Sequence, residues 1–193
     1  MALIWNKLPE QLPMHWNIKG EIDNYGSKWI FPIMNILIYL LMRFAPLIDP
    51  WKRNYNKFEN SYYTIRLLML LFFSIVFTAI ILTGTGVHVR IEKIIVPSML
   101  VLFMLIGNYM AKLRFNWFIG IRTPWTMSNE EIWRKTHYFG GKLWFWSCLI
   151  ALPFSFFLSE ISLFIFFFSV IAEIVIVPFI YSYRLYTNHK KKE

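Results

Sequence analysis

Five long apolar stretches, separated by short polar segments, dominate the pattern of the sequence. They cover residues 29–48, 65–83, 94–113, 143–158 and 162–183. A helix needs about 20 apolar residues to cross a bilayer, and each stretch reaches or approaches that length. None of them alternates between apolar and polar residues as the strands of a membrane barrel do. The pattern therefore predicts an all-α membrane protein, a bundle of about five transmembrane helices.

The overall composition supports this prediction. Of the 193 residues, 57% are hydrophobic and only 16% are charged, whereas charged residues make up about 25% of an average soluble domain. The high hydrophobicity excludes a disordered chain. The single cysteine, Cys148, excludes a disulfide scaffold. An integral membrane protein is the class that remains.

The net charge of +9 indicates how the helices are oriented. Most of the 20 lysines and arginines lie in or near residues 49–64, 114–142 and 184–193, and the exceptions are Lys7, Lys19, Lys28, Arg90 and Lys93. Because cytoplasmic loops carry an excess of Lys and Arg, we predict a multi-pass protein of the cell membrane with residues 1–28 outside and a cytoplasmic C-terminus. The charge then reflects topology, and we expect no direct binding to nucleic acid.

The predicted spans divide the chain into an external segment (1–28), three helices (29–113), a cytoplasmic segment (114–142), two helices (143–183) and a basic cytoplasmic tail (184–193). The external segment is rich in Pro, Gly, Asn and Asp, which predicts an ordered loop rather than a helix. It is either a recognition surface or ion site, or a packed loop in which His15 bonds to the backbone. One His and one Asp are too few for a metal shell. Its recognition candidates are His15, Trp16, Asn17, Gly20, Asp23 and Lys28.

The cytoplasmic segment carries the most distinctive residues of the chain. Ser128 and Glu131 have the spacing of a capping box, which predicts a short interfacial helix from about residue 129 to 138 that stops at Gly140 and Gly141. Such a helix would lie on the inner leaflet with its basic side near lipid phosphates. The segment is either an anchor between two helices or a docking face for a cytosolic partner, with the candidates Gly120, Arg122, Thr123, Pro124, Trp125, Ser128, Asn129, Glu130, Trp133, Lys135 and His137.

Three polar residues stand out within the apolar stretches: Arg43, Asn108 and Glu173. A charge at the depth of Glu173 costs roughly 2.5–3.5 kcal/mol, so this carboxyl must be protonated, paired or hydrated. The Arg43 side chain is long enough to reach that depth, and we predict a Glu173–Arg43 pair with Asn108 nearby. The alternative is a neutral Glu173 that is hydrogen-bonded to serines.

Motifs of known enzymes are missing from the sequence. It has no His-Glu-x-x-His zinc motif, no Gly-x-Ser-x-Gly elbow and no phosphate-binding glycine loop. The nearest approach is Glu130-Glu131 followed by Arg134, which resembles a paired-glutamate protease motif but lacks intramembrane histidines. We therefore expect no catalytic residues, no metal and no cofactor.

Several stretches together resemble one known family. They are residues 13–28, 43–50, 107–110 and 133–137, and above all Gly120-Ile121-Arg122-Thr123-Pro124-Trp125-Thr126-Met127-Ser128-Asn129-Glu130. On these residues the chain resembles the SdpI family. The resemblance implies an integral membrane immunity protein that protects a Gram-positive producer cell from a secreted killing peptide. It also implies a signal transducer that holds a cytosolic helix-turn-helix repressor at the membrane when it meets that peptide.

The family has six spans with both termini inside, so the resemblance implies that the first span is missing here, with residues 2–5 as its remnant. The leading interpretation is a receptor-like immunity protein. Its partners would be the lipid bilayer, an external killing peptide and an internal repressor. The alternative is a small proton-coupled transporter or permease-like protein with Glu173 as its proton site.

Overall fold

The computed structural model describes residues 5–17 and 19–191. Most of these residues belong to five helices, each long and apolar enough to cross a membrane. The helices are α1 (Ile30–Ile48), α2 (Glu59–Gly84), α3 (Glu92–Met110), α4 (Glu130–Phe157) and α5 (Glu160–Lys190). The prediction of an all-α membrane protein with about five transmembrane helices is confirmed. Residues 2–4 of the supposed remnant, and Lys192 and Glu193 of the predicted tail, lie outside the described residues.

The two ends of the bundle carry different segments. One end holds residues 5–17 and 19–28, the 85–91 loop and the turn between α4 and α5, and we call it the hairpin end. The other holds the 49–58 connection, residues 111–129 and the C-terminus of α5, and we call it the basic end. At the basic end the two long connections meet directly, since Asn54 Nδ2 donates to the Phe115 carbonyl at 2.9 Å.

The helices pack in a row that follows the chain order, from α1 to α5. The α3–α4 pair is the closest because both helices offer a glycine where they cross. A Cβ at Gly141 would lie 2.6 Å from the Gly107 carbonyl oxygen, and a Cβ at Gly107 would lie 2.8 Å from that of Gly141. Small residues let membrane helices approach this closely, and the approach gains van der Waals contacts that lipid does not supply.

The core of the row lies between α3, α4 and α5. Leu100, Cys148 and Leu163 are fully buried there, one from each helix. In α1, every residue of which the structure describes, only Ala45 is buried. The first helix is thus the edge of the row, with most of its surface facing lipid.

The predicted external loop is in fact a β-hairpin, which the sequence pattern did not reveal. Strand β1 (Gln11–Trp16) pairs antiparallel with β2 (Ile22–Ser27), with irregular register on either side of His15. The prolines and glycines that indicated a loop fit this hairpin because, among the described residues, its sheet has two strands. A proline, which has no N–H group, then leaves no third strand without a donor. Leu12 of β1 is fully buried and packs against Gly84 at the end of α2, which anchors the hairpin to the bundle.

The predicted stop at Gly140 and Gly141 is wrong. Helix α4 runs through both glycines without interruption, so the short interfacial helix is the first part of a transmembrane helix. At both positions a neighbouring group occupies the space that a side chain would need, which explains why glycines lie inside this helix. Gly141 lies against α3, and a Cβ at Gly140 would meet the Ile121 side chain.

The predicted capping box is also wrong by one residue. Asn129 is the N-cap of α4, and its Oδ1 accepts the N–H groups of Glu131 (2.7 Å) and Ile132 (3.2 Å). Ser128 instead donates its hydroxyl to the Trp125 carbonyl. An Asn side chain satisfies the free N–H groups of a helix start as well as a Ser side chain does. The sequence therefore predicted the helix start correctly but assigned the N-cap to the wrong residue.

We predict that Gly141→Ala destabilises the protein by about 1–3 kcal/mol more than Gly140→Ala does. The new methyl group at position 141 would clash with the Gly107 backbone, whereas the one at position 140 would meet the flexible end of the Ile121 side chain. Both variants gain the same helix propensity, so Gly140→Ala is a matched control. Cys148 is buried and the single cysteine, so a thiol-reactive dye that fluoresces on unfolding measures both melting temperatures in detergent. Equal melting temperatures would contradict the close α3–α4 crossing.

Candidate functional site

A buried carboxylate organises the basic end. Asp49, just after α1, is 2% exposed. Its Oδ1 accepts the Trp51 N–H at 2.8 Å, and its Oδ2 accepts the Trp117 N–H and the Tyr55 hydroxyl, each at 2.8 Å. Hydrogen bonds to an ionised acceptor are about twice as strong as neutral ones. Asp49 therefore ties the connection between α1 and α2 to the segment that follows α3.

Asn116 completes this network from the other connection. It is fully buried, and its Oδ1 accepts the N–H groups of Phe118 (2.9 Å) and Ile119 (2.8 Å) and lies 3.4 Å from the Tyr55 hydroxyl. Its Nδ2 donates to the carbonyls of Arg114 and Ile119. Burial and the hydrogen bond to Asp49 raise the pKa of Tyr55 well above its ordinary value, so the phenol stays a proton donor.

His137 holds the next part of the segment against α4. Its Nε2 accepts the Ile121 N–H at 2.9 Å and its Nδ1 donates to the Trp133 carbonyl at 2.8 Å, which requires the neutral ring. The imidazole stacks on the Trp133 indole, 4.0 Å between centroids. Gly120 has φ +128°, and a Cβ there would meet His137 Nε2. Only glycine fits this position.

A pair of threonines fixes the turn that follows. Thr123 and Thr126 are buried and exchange hydrogen bonds between backbone and side chain, and Thr126 Oγ1 also donates to the Ile121 carbonyl at 2.8 Å. Thr123 Oγ1 lies 3.0 Å from Ser182 Oγ of α5. The turn thereby connects α4 to α5 at the basic end, and the Trp125 ring packs on α5 beside it.

The residues predicted to dock a partner separate into two groups. Trp133 and His137, expected at the surface, are buried, because the face of α4 that was predicted to rest on lipid packs on residues 113–121 instead. Thr123 is buried too, and Gly120, Trp125 and Asn129 hold backbone or ring contacts. The candidates whose side chains remain exposed are Arg122, Pro124, Ser128, Glu130 and Lys135.

The exposed pair His15 and Asp23 lies across the hairpin, with His15 Nδ1 2.6 Å from Asp23 Oδ1. In the described part of the chain, no three His, Cys, Asp or Glu side chains are grouped as a metal site would need. Asn17 and Gly20 form the turn: Asn17 Oδ1 accepts two N–H groups, and Gly20 has φ +75°. Trp16 is half-buried.

Lys28 is buried rather than presented to a ligand. It is 5% exposed, and its Nζ lies 3.0 Å from Glu10 Oε1 and 3.5 Å from the Leu8 carbonyl. A buried ammonium is tolerated only when it is paired and hydrogen-bonded, as here. Lys28 thus fastens the start of β1 to the end of β2.

The predicted Glu173–Arg43 pair is wrong. Glu173 Oε1 accepts the Ser147 hydroxyl at 3.2 Å, which is the serine hydrogen bond of the alternative prediction. Arg43 lies on α1 and Glu173 on α5, at opposite ends of the helix row, and both are exposed. Asn108 is exposed on α3. The estimate of depth along each helix was compatible with a pair, but it carried no information about which helices are neighbours.

Three further residues position the site and were not selected from the sequence as candidates: Asp49, Tyr55 and Asn116. The available signal was an acidic residue directly after a span, in the basic connection 49–64. A fourth, Lys93, does comparable work at the hairpin end, where its Nζ donates to the carbonyls of Ser155, Phe156 and Leu158 and so caps α4.

Comparison with known proteins associates this site with one family. Residues 112–182, which include Asn116, His137 and Ser182, match the model of the SdpI/YfhL protein family. Residues 1–38 match the model of a domain of unknown function (DUF1648). The chain is 26% identical over 161 residues to the protein named Immunity protein SdpI from Bacillus subtilis (strain 168), which is 82% of this chain and 75% of that protein. No solved structure matches the chain.

We predict that Asp49→Ala lowers the free energy of unfolding by about 3 kcal/mol, because it leaves three donors without their acceptor and each unsatisfied buried group costs about 1–3 kcal/mol. Asp23→Ala, which removes an exposed carboxylate with one partner, is the control and should cost under about 1 kcal/mol. Dye labelling of Cys148 during a thermal ramp reports both. A shift as small for Asp49 as for Asp23 would show that the basic end does not depend on this carboxylate.

Proposed function

We propose that this chain is a member of the SdpI/YfhL family and an integral membrane immunity protein that protects its cell from a secreted antimicrobial peptide. The similarity to an immunity protein over 82% of the chain is the observation that carries this proposal.

We place the hairpin end outside the cell and the basic end, with the C-terminus, in the cytoplasm. The excess of Lys and Arg at the basic end supports this orientation through the positive-inside rule. It presents the hairpin to a peptide that arrives from outside. The exposed His15–Asp23 pair is the part of the hairpin that we assign to peptide recognition, while Leu12 and Lys28 hold the hairpin in place.

The second part of the proposal is signalling. The exposed residues Arg122, Pro124, Ser128, Glu130 and Lys135 form the surface that we assign to a cytosolic helix-turn-helix repressor. They lie on and beside a turn that Thr123 links to α5 and His137 links to α4. A change in how α4 and α5 pack would therefore change this surface. Such coupling between two sites is what a transducer needs.

The transporter alternative has no specific support from the geometry. It rests on Glu173, whose carboxylate binds Ser147 on the outward-facing side of α4 and α5. Intramembrane carboxyls that move protons face the bundle interior or a water-filled cavity. We therefore retain immunity as the proposed function.

We expect the protein to raise survival of a peptide-sensitive strain that expresses it. The His15→Ala/Asp23→Ala variant should lower the half-lethal peptide concentration about tenfold relative to the native chain, which corresponds to the loss of about 1.4 kcal/mol of binding free energy. His88→Ala, an exposed histidine in another loop of the hairpin end, is the control and should protect as the native chain does. No protection by the native chain would refute the immunity proposal. Full protection by the double variant would remove the hairpin pair from it.

For signalling, we expect Arg122→Glu/Lys135→Glu to release a fluorescently tagged helix-turn-helix repressor from the membrane of peptide-treated cells while survival stays unchanged. Reversing charges at the rim of an interface weakens association without disturbing buried contacts. Lys52→Glu/Arg53→Glu, exposed on the same end, is the control. Retention of the repressor by the first double variant would contradict this docking surface.

A further inference from the structure

A polar cavity of about 500 Å³ opens at the basic end, between the start of α2 and the end of α3. Three cations contribute to its lining: Lys57, Lys112 and Arg114. Glu59 is the one acidic residue among the lining residues, so positive charge is in excess. All four side chains are exposed, which leaves their charges available to a ligand that enters the cavity.

One serine that lines this cavity has a hydroxyl that makes no hydrogen bond within the described part of the chain. Ser61 is 6% exposed and lines the cavity, and among the described residues its Oγ has no hydrogen bond. Further along α2, Ser74 and Thr78 donate to the carbonyl four residues earlier, whereas Ser61 stands in the first turn, where the helix has no such carbonyl. The Ser61 Oγ atom is not sealed off from the cavity, so it is placed to donate a hydrogen bond to an acceptor oxygen that enters it.

The position of the cavity indicates which acceptor that is. Its walls are the residues at the start of α2, which begins at Glu59, and those just after the end of α3 at Met110. This is the level of lipid headgroups at a bilayer surface. The N-cap Phe58 gives no side-chain hydrogen bond to α2, so the first N–H groups of this helix add further donors for an anion.

We propose that this cavity binds the phosphate of an anionic phospholipid, with Ser61 Oγ as a hydrogen-bond donor and Lys57, Lys112 and Arg114 as the cations around it. The headgroup enters from the bilayer surface, and its acyl chains stay in the membrane beside the helices. The site does not depend on the immunity proposal, because none of these residues belongs to the peptide or repressor surfaces described above.

The test uses the full-length protein in maltoside detergent, titrated with dioctanoyl phosphatidylglycerol and followed by native mass spectrometry. We expect saturable binding of this lipid, and much weaker binding of dioctanoyl phosphatidylcholine and of inorganic phosphate. Lys112→Gln/Arg114→Gln should weaken binding about fivefold for each cation removed, the effect of about 1 kcal/mol per charge near a membrane surface. Ser61→Ala should weaken it about tenfold, since a hydrogen bond to a charged group is lost.

Two further variants make the result specific to the cavity. Lys52→Gln/Arg53→Gln removes two exposed cations of the same connection that do not line the cavity, and it should bind as the native chain does. Glu59→Gln removes the acidic residue and should bind about fivefold more tightly. Thermal melting checks that each variant folds, and the expected gain in Glu59→Gln cannot come from misfolding.

Three outcomes would overturn the proposal. Equal binding of phosphatidylcholine would show that charge is not recognised. Equal binding of inorganic phosphate would show an anion site without a lipid. Equal weakening in the Lys52/Arg53 control and the cavity variants would show a diffuse attraction to the basic end rather than a site.

Discussion

Asp49 solves a problem that every polytopic membrane protein faces, namely how to fix connections that have little apolar surface to bury. Each connection must satisfy its own backbone groups close to the membrane, where unpaired N–H and C=O groups are costly. One carboxylate supplies acceptors to donors from both long connections of the basic end. Asn116 then closes the second connection on itself. These two side chains therefore hold the connection between α1 and α2 against the segment that follows α3.

The pattern of residues that resembles a known family has a mainly structural meaning in this fold. Gly120 is required because His137 occupies the space beside it, and Thr123 is required because it reaches Ser182. A long motif in a cytoplasmic segment suggests a docking face, yet its most distinctive side chains point inward. The exposed residues between them are the ones on which partner contacts can depend.

The spans were predictable because hydropathy over some twenty residues is a strong signal that tertiary context rarely overrides. The hairpin was not, because Pro13 and Gly26 are typical of loops and a two-stranded hairpin accepts them. The continuation of α4 through Gly141 was missed for a related reason. In a sequence, a glycine indicates a helix end unless it is known to pack against a neighbouring helix. Which helices are neighbours depends on the tertiary structure, which the sequence pattern does not show. The wrong partner for Glu173 was predicted for the same reason, because the sequence does not show which helices are neighbours.

The row-like order of the helices has a consequence for synthesis. Each helix packs on the one made just before it, so most contacts can form while the chain leaves the ribosome. The hydrogen bond from Trp117 to Asp49 spans 68 residues and is an exception. Until residue 117 has emerged, the Asp49 carboxylate lacks one of its donors. The connection between α1 and α2 therefore acquires its full set of hydrogen bonds only after α3 has been made.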